Sequence, residues 1–228
     1  MHHNTVVNLA RASRAFKPPA KGSAPADLIV AAERLFAERG IEGVSLRTIC
    51  VESKQGNTRA LQYHFGDRQG IVAAIMLTRM ARLEQRRSEL LDATIERGTP
   101  DIATLLGVLL RPISEFAGAD GRNLFARFLL HITTHSHAWG WGPSQHIDFP
   151  EVEPTATERA YDLLRQRIDP QIAWRVDNRM SHILRMFLGA LIDRENTVLD
   201  GGEEVALEEV VQDQILMAAA ALCAVPAA

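Results

Sequence analysis

Apolar side chains recur at helical spacing along most of this chain, so its regular structure is expected to be helical throughout. Leu28, Ile29, Ala32, Leu35 and Phe36 define one face of a helix between Pro25 and Arg39, and Gly40 supplies a left-handed stop. Ser45 can cap a very short helix whose inward side is Leu46, Ile49 and Cys50, and Asn57 a second one turned inward at Ala60 and Leu61. Asp67 can cap a long helix carrying Ile71, Val72, Ile75, Met76, Met80, Leu83, Leu90 and Leu91 to about Glu96, with Gly98 to end it. Thr99-Pro100-Asp101 restarts a helix through Ile102, Leu105, Leu106, Val108, Leu109 and Ile113, which Pro112 should kink or end. After Gly118 to Gly121 comes a strongly apolar helix with Leu124, Phe125, Phe128, Leu129 and Ile132. His135 to Pro154, rich in Trp, Gly and Pro, reads as a long loop packed over something. Further helices are expected over Thr155–Ile168, from Pro170 to about Asp193, and over Val205–Ala224.

The two shortest helices are far below the length at which an isolated helix holds in water, so they must lean on their flanks. Their polar residues are Arg47, Thr48, Lys54, Gln55, Asn57, Thr58, Arg59, Gln62, Tyr63 and His64, a set rich in groups that bond phosphate oxygens and base edges. Thr58, Arg59 and Gln62 would be the base readers by their place on the second helix; Arg47, Thr48, Tyr63, His64 and Arg68 would hold phosphates. Arg68 gains from the free amides at the start of the long helix, a phosphate clamp. For Phe65 the plainer reading, a packed aromatic anchor, is preferred.

Ser45-Leu46-Arg47, Ile49 and the run Leu61-Gln62-Tyr63-His64-Phe65-Gly66-Asp67-Arg68 resemble the helix-turn-helix signature of the tetracycline-repressor (TetR) family, clearly so over Ala26 to Ala74. The loop from Ser53 to Asn57 is one residue longer than in the commonest members, and its glycine is Gly56, where many relatives place one nearer to position 54. The resemblance implies an all-α fold: an N-terminal three-helix helix-turn-helix domain joined by a long helix to a C-terminal helical ligand-binding and dimerisation domain. The corresponding division is a flexible basic arm over 1–24, a DNA-binding domain over 25–70 and the body over 71–228. It also implies a homodimer in which the last two helices of each subunit form a four-helix interface, so that two hairpins related by a two-fold axis read a palindromic operator in double-stranded DNA. Both of those helices carry apolar residues on more than one face, as such an interface needs.

Charge agrees with that division: up to Arg97 there are 15 Lys and Arg against 10 Asp and Glu, and beyond it 10 against 18. The stretch from Met1 to Ser23 has Arg11, Arg14, Lys17 and Lys21 and no acidic residue, which suits a mobile arm reaching along phosphates or into a minor groove, or an inert leader. Two distant cysteines, Cys50 and Cys223, suggest core thiols in a reducing compartment, and neither a membrane-spanning run nor a secretory leader is evident, so a cytoplasmic protein is expected. His131, His135, His137 and His146 lack the companions of a metal site, and no phosphate loop or nucleophile motif occurs, so neither a metal, a cofactor nor an enzyme is expected. The expected function is a ligand-responsive transcriptional repressor released from DNA by a small apolar or amphipathic effector. Its pocket would be bounded by Phe125, Arg127, Phe128, His131, Met180, Leu184 and Phe187. The alternative is a helical protein-interaction adaptor that does not bind DNA.

Overall fold

Side-chain caps set where several helices of this protein begin. In the computed structural model, which describes residues 10, 13, 16–55, 58–118, 120–134 and 154–225 (the Ala60 side chain excepted), Ser23 accepts from the Ala26 amide ahead of α1 (Ala24–Arg39). Ser45 accepts from the Thr48 amide at 3.0 Å ahead of α2 (Leu46–Glu52). The second short helix, α3 (Thr58–Phe65), follows a turn whose Gly56 and expected cap Asn57 lie outside the described residues. Asp67 caps α4 (Arg68–Glu96) through the Gly70 amide, and Asp101 caps α5 (Ile102–Ser114) through that of Thr104. Two hydrogen bonds from Thr104 hold the Asp101 carboxyl below its usual range. Pro112 sits inside α5, which ends at Ser114, the early termination expected of a proline that cannot donate.

The body continues with α6 (Leu124–Thr134), α7 (Ala156–Arg165), a 3-10 turn (Ala173–Arg175), α8 (Val176–Leu199) and α9 (Leu207–Cys223). A reciprocal capping box between Thr155 and Glu158 starts α7 where the sequence places it. The helix expected from Pro170 instead begins at Val176 and runs on to Leu199. Asp169 is the reason: its side chain accepts from the Gln171 amide and its carbonyl from the Ile172 amide, so local turns compete with the helix. The loop expected over His135–Pro154 lies almost wholly outside the described residues, and His135, His137 and His146 with it. Among the described residues all regular structure is helical.

Two further expectations change. The arm over residues 1–24 is described only in part, but Ala10 and Ser13 are helical and buried, the Ser13 hydroxyl bonding the Ala10 carbonyl at 2.7 Å. A freely mobile arm does not describe these two positions. Gly40 has φ 73 with ψ 158, an extended region open to glycine, rather than the left-handed helical stop.

The helices pack in a chain of neighbours. α2 and α3 rest on α1, α3 also meets α4, and α1 packs against α4 and α6; α5 joins α4, α7 and α9, while α8 bridges α6 and α9. The seam between hairpin and body runs along α1: Phe36 stacks on Phe128 with centroids 6.3 Å apart, and Glu33, only 3% exposed, takes both Nε and Nη2 of Arg79. Arg79 in turn lies over the Phe116 and Phe125 rings.

Deeper in the body, Arg87 donates twice to the Leu109 carbonyl (3.2 and 2.7 Å) and once to Thr157 Oγ1 (2.9 Å), beside Glu84, which accepts from the Thr157 amide and hydroxyl. Burial lowers the Arg87 pKa, opposed by Glu84, and pushes the neighbouring Tyr161 up to about 12. Removing Arg87 leaves the Glu84 carboxylate buried without a counter-charge, held only by Thr157. Arg87→Met is expected to lower unfolding free energy by about 3–5 kcal/mol, read by urea denaturation. Lys54, with φ 60, is the one non-glycine residue of positive φ among those described. Lys54→Gly is expected to raise stability by about 1 kcal/mol, since a β-carbon is disfavoured there; a lower denaturation midpoint would show the turn is unstrained.

Candidate nucleic-acid interface

α3 divides cleanly into an inward and an outward side. Leu61 is fully buried and Phe65 packs half-buried against the same core, one turn apart, which fixes the rotation of the helix. That leaves Thr58, Arg59, Gln62, Tyr63 and His64 exposed, Tyr63 at 86%. The Tyr63 ring meets the His64 imidazole edge to face at 5.1 Å, so the aromatic side chain stands clear of the core but not unsupported. A large aromatic held outward beside hydroxyl, amide and guanidinium groups is suited to phosphate and base contacts, and costs burial that a core role would have recovered.

α2 is turned the same way. Ile49 and Cys50 are buried, and burial pushes the Cys50 thiol up, which leaves it inert. Arg47 is exposed at the first turn and Thr48 is half-buried, its hydroxyl 2.8 Å from that of the capping Ser45. At the turn Lys54 is exposed and Gln55 half-buried, its amide reaching Asp27 at 3.4 Å and so tying the turn to the first turn of α1. The Asp27 carboxylate thus braces the turn from α1. Immediately ahead of α1, a tight turn closed by Ser23 N to Ala20 O, with Gly22 at φ 77, presents Lys21 to solvent, and Lys17 is also exposed.

Of the expected phosphate contacts, Arg68 is placed differently. Its Nη1 donates to Glu42 Oε2 at 3.1 Å and its Nη2 to the Val44 carbonyl at 3.0 Å, so the guanidinium is engaged inside the protein. The partners lie in the loop before α2, too far along the chain for a local reading to find them.

The expected ligand-contacting residues fall on α6 and α8, which pack together. Phe125, Phe128 and Phe187 are sealed in the core, Met180 is buried, and Leu184 and His131 are half-buried, His131 lying against Gly40. Arg127 is engaged within the protein: its Nε donates to Glu195 Oε2 at 3.1 Å and its Nη2 to Asn196 Oδ1 at 2.8 Å, pinning α6 to α8. Glu195 also accepts from the Asn123 amide at 2.6 Å, while Asn123 Oδ1 caps α6 through the Ala126 amide. Neither Asn123 nor Glu195 stands out in sequence, although an Asn ahead of an apolar helix is a capping signal that could have found the first. Among the described residues no cluster of His, Cys, Asp and Glu could hold a metal ion, and no helix is long and apolar enough to cross a membrane.

No curated protein matches the chain. Residues 28–75 match the family model described as bacterial regulatory proteins, tetR family. The matched stretch holds most of α1, all of α2 and α3 and the start of α4, the same helices that expose the polar face around Tyr63, and this part of the chain is accordingly a DNA-binding domain of the kind found in TetR-family transcriptional regulators.

Proposed function

We propose that this regulator is a homodimeric repressor in the cytoplasm that two copies of the α2–α3 hairpin dock onto a palindromic operator, and that a small apolar or amphipathic effector releases it. The observation that carries the reading is the outward face of α3, where Thr58, Arg59, Gln62 and Tyr63 are exposed while Leu61 anchors the helix from behind. Thr58, Arg59 and Gln62 read base edges in the major groove; Arg47, Lys54, Gln55, Tyr63 and His64 hold the flanking phosphates, with Thr48 and Asn57 at the helix starts. Residues 25–70 then form the DNA-binding unit, and residues 71–228 the unit that pairs subunits and takes the effector.

Support for pairing comes from α8 and α9. Val211, Ile215, Ala218 and Leu222 turn inward, whereas Leu216 and Met217 on the other side of α9 are 54% and 47% exposed, and Val198 and Leu199 lie open at the end of α8. Apolar residues on two faces of one helix are the mark of a second partner. The effector is placed between α6 and α8, against Leu184, His131 and Met180. Phe125, Phe128 and Phe187 line the same packing, so a ligand reaching them must part the two helices. Since α6 also carries the seam to α1, a shift there changes the separation of the hairpins and biases the population away from the DNA-fitting state.

Arg59→Ala and Tyr63→Ala are each expected to reduce binding to a duplex selected by the wild-type chain at least tenfold in a mobility-shift titration, without lowering the denaturation midpoint, since both side chains are exposed. Unchanged binding in both would remove the hairpin from the interface. Leu216→Glu combined with Met217→Glu is expected to convert a dimer to monomer by sedimentation and to weaken operator binding with it; a dimer that persists would place the interface elsewhere.

A further inference from the structure

The joint between the recognition helix and the long helix is unusually tight. α3 ends at Phe65, Gly66 takes φ 75, Asp67 caps α4, and a β-carbon on Gly70 would lie 1.7 Å from the Phe65 carbonyl oxygen. Only a glycine lets the first turn of α4 sit that close to the last turn of α3. Arg68 leaves α4 at this joint and crosses to the loop before α2, where it bonds the Glu42 carboxylate (3.1 Å) and the Val44 carbonyl (3.0 Å). Val44 is buried and directly precedes Ser45, the cap of α2. The Arg68 Nε is itself buried without a partner, so the stem lies down on the protein, while 33% of the side chain remains exposed at the guanidinium end. Glu42 is well exposed, so the carboxylate comes to Arg68 from the solvent side.

We infer that Arg68 is a positioning residue and not a phosphate contact: with Glu42 and the Val44 carbonyl it locks α2, α3 and the first turn of α4 into one rigid body. A fixed angle between α2 and α3 is what lets the α3 face fit a groove, and a fixed angle between α3 and α4 is what lets movement of the long helix reach the DNA. Glu42, an acidic residue close to a DNA-binding surface, is then favourable to binding, because the angle it holds outweighs its repulsion of phosphates. A phosphate contact would give the opposite sign: freeing Arg68 from Glu42 would strengthen binding.

This rests on the hairpin being the DNA-reading element, and the test separates the two claims. Operator affinity of the full chain is measured over a range of salt concentrations on a duplex selected by the wild-type protein from a random library, for wild type, Glu42→Gln, Arg68→Gln and the double variant. Each single variant is expected to weaken binding roughly threefold to tenfold, with the slope of log affinity against log salt unchanged and the double variant no worse than either single one. Arg68→Lys, which keeps the charge but cannot span both acceptors, is expected not to restore affinity. Denaturation midpoints are read in parallel: lower midpoints with unchanged affinity would mean the pair serves folding alone and would overturn the inference. A Glu42→Gln variant that binds more tightly, or an Arg68→Gln variant whose slope falls by about one, would make Arg68 a phosphate contact and overturn it too. Failure of wild type to select any duplex would instead sink the DNA-reading role, and the inference with it.

Discussion

The contact on which the rest of this structure depends is the packing of α1 against two different partners. One side of α1 supports α2 and α3, which are too short to persist alone. The other carries Glu33 and Phe36 into the body, where Arg79 and Phe128 receive them. The Glu33 carboxylate is almost fully enclosed, and a charge in that setting is tolerable only because a guanidinium bonds it through two nitrogens and is itself backed by the Phe116 and Phe125 rings. Apolar stacking supplies attraction and the ion pair supplies direction, so α1 has one preferred seat on the body. The hairpin inherits its orientation from that seat.

The same logic explains why the polar face of α3 can be so exposed. Leu61 and Phe65 behind it, with Ile49 and Cys50 of α2, bury enough apolar surface against α1 and α4 to hold the backbone, so the outward side chains are not needed for the core. A second path from the body runs down α4. Arg79 and Arg87 on this helix engage the hairpin seam and the α5–α7 cluster respectively, so one rod touches both regions. A change in how α6 and α8 pack can therefore reach the hairpin through α1 as well as through α4.

Much of this was legible in the sequence because caps and apolar periodicity are local. Ser45 and Asp67 cap the helices they suggest, and the inward residues of α1, α2 and α4, with Leu61 of α3, are those that spacing selects, whereas Pro100 stands ahead of the cap Asp101 and outside α5. What was not legible involves partners distant along the chain or local competition. Arg68 and Arg127 look like free cations until folding brings Glu42 and Glu195 to them. The start of α8 was misplaced because Asp169 makes its own turn after Ile168. Phe125, Phe128 and Phe187 carry the signature of a pocket and of a core alike, and enclosure between α6 and α8 is a property of the packed helices that periodicity does not encode. Lys54 adopts a positive φ near the place where the resemblance puts a glycine in many relatives, a conformation that its side chain does not announce.

The most direct test replaces Gln62 with a photo-crosslinking amino acid and irradiates the protein on a duplex selected by the wild-type chain. The expected result is attachment to bases at two symmetric positions about one helical turn apart, because the outward face of α3 then lies in successive major grooves. Attachment only within the protein, or equally to an unrelated duplex, would contradict it.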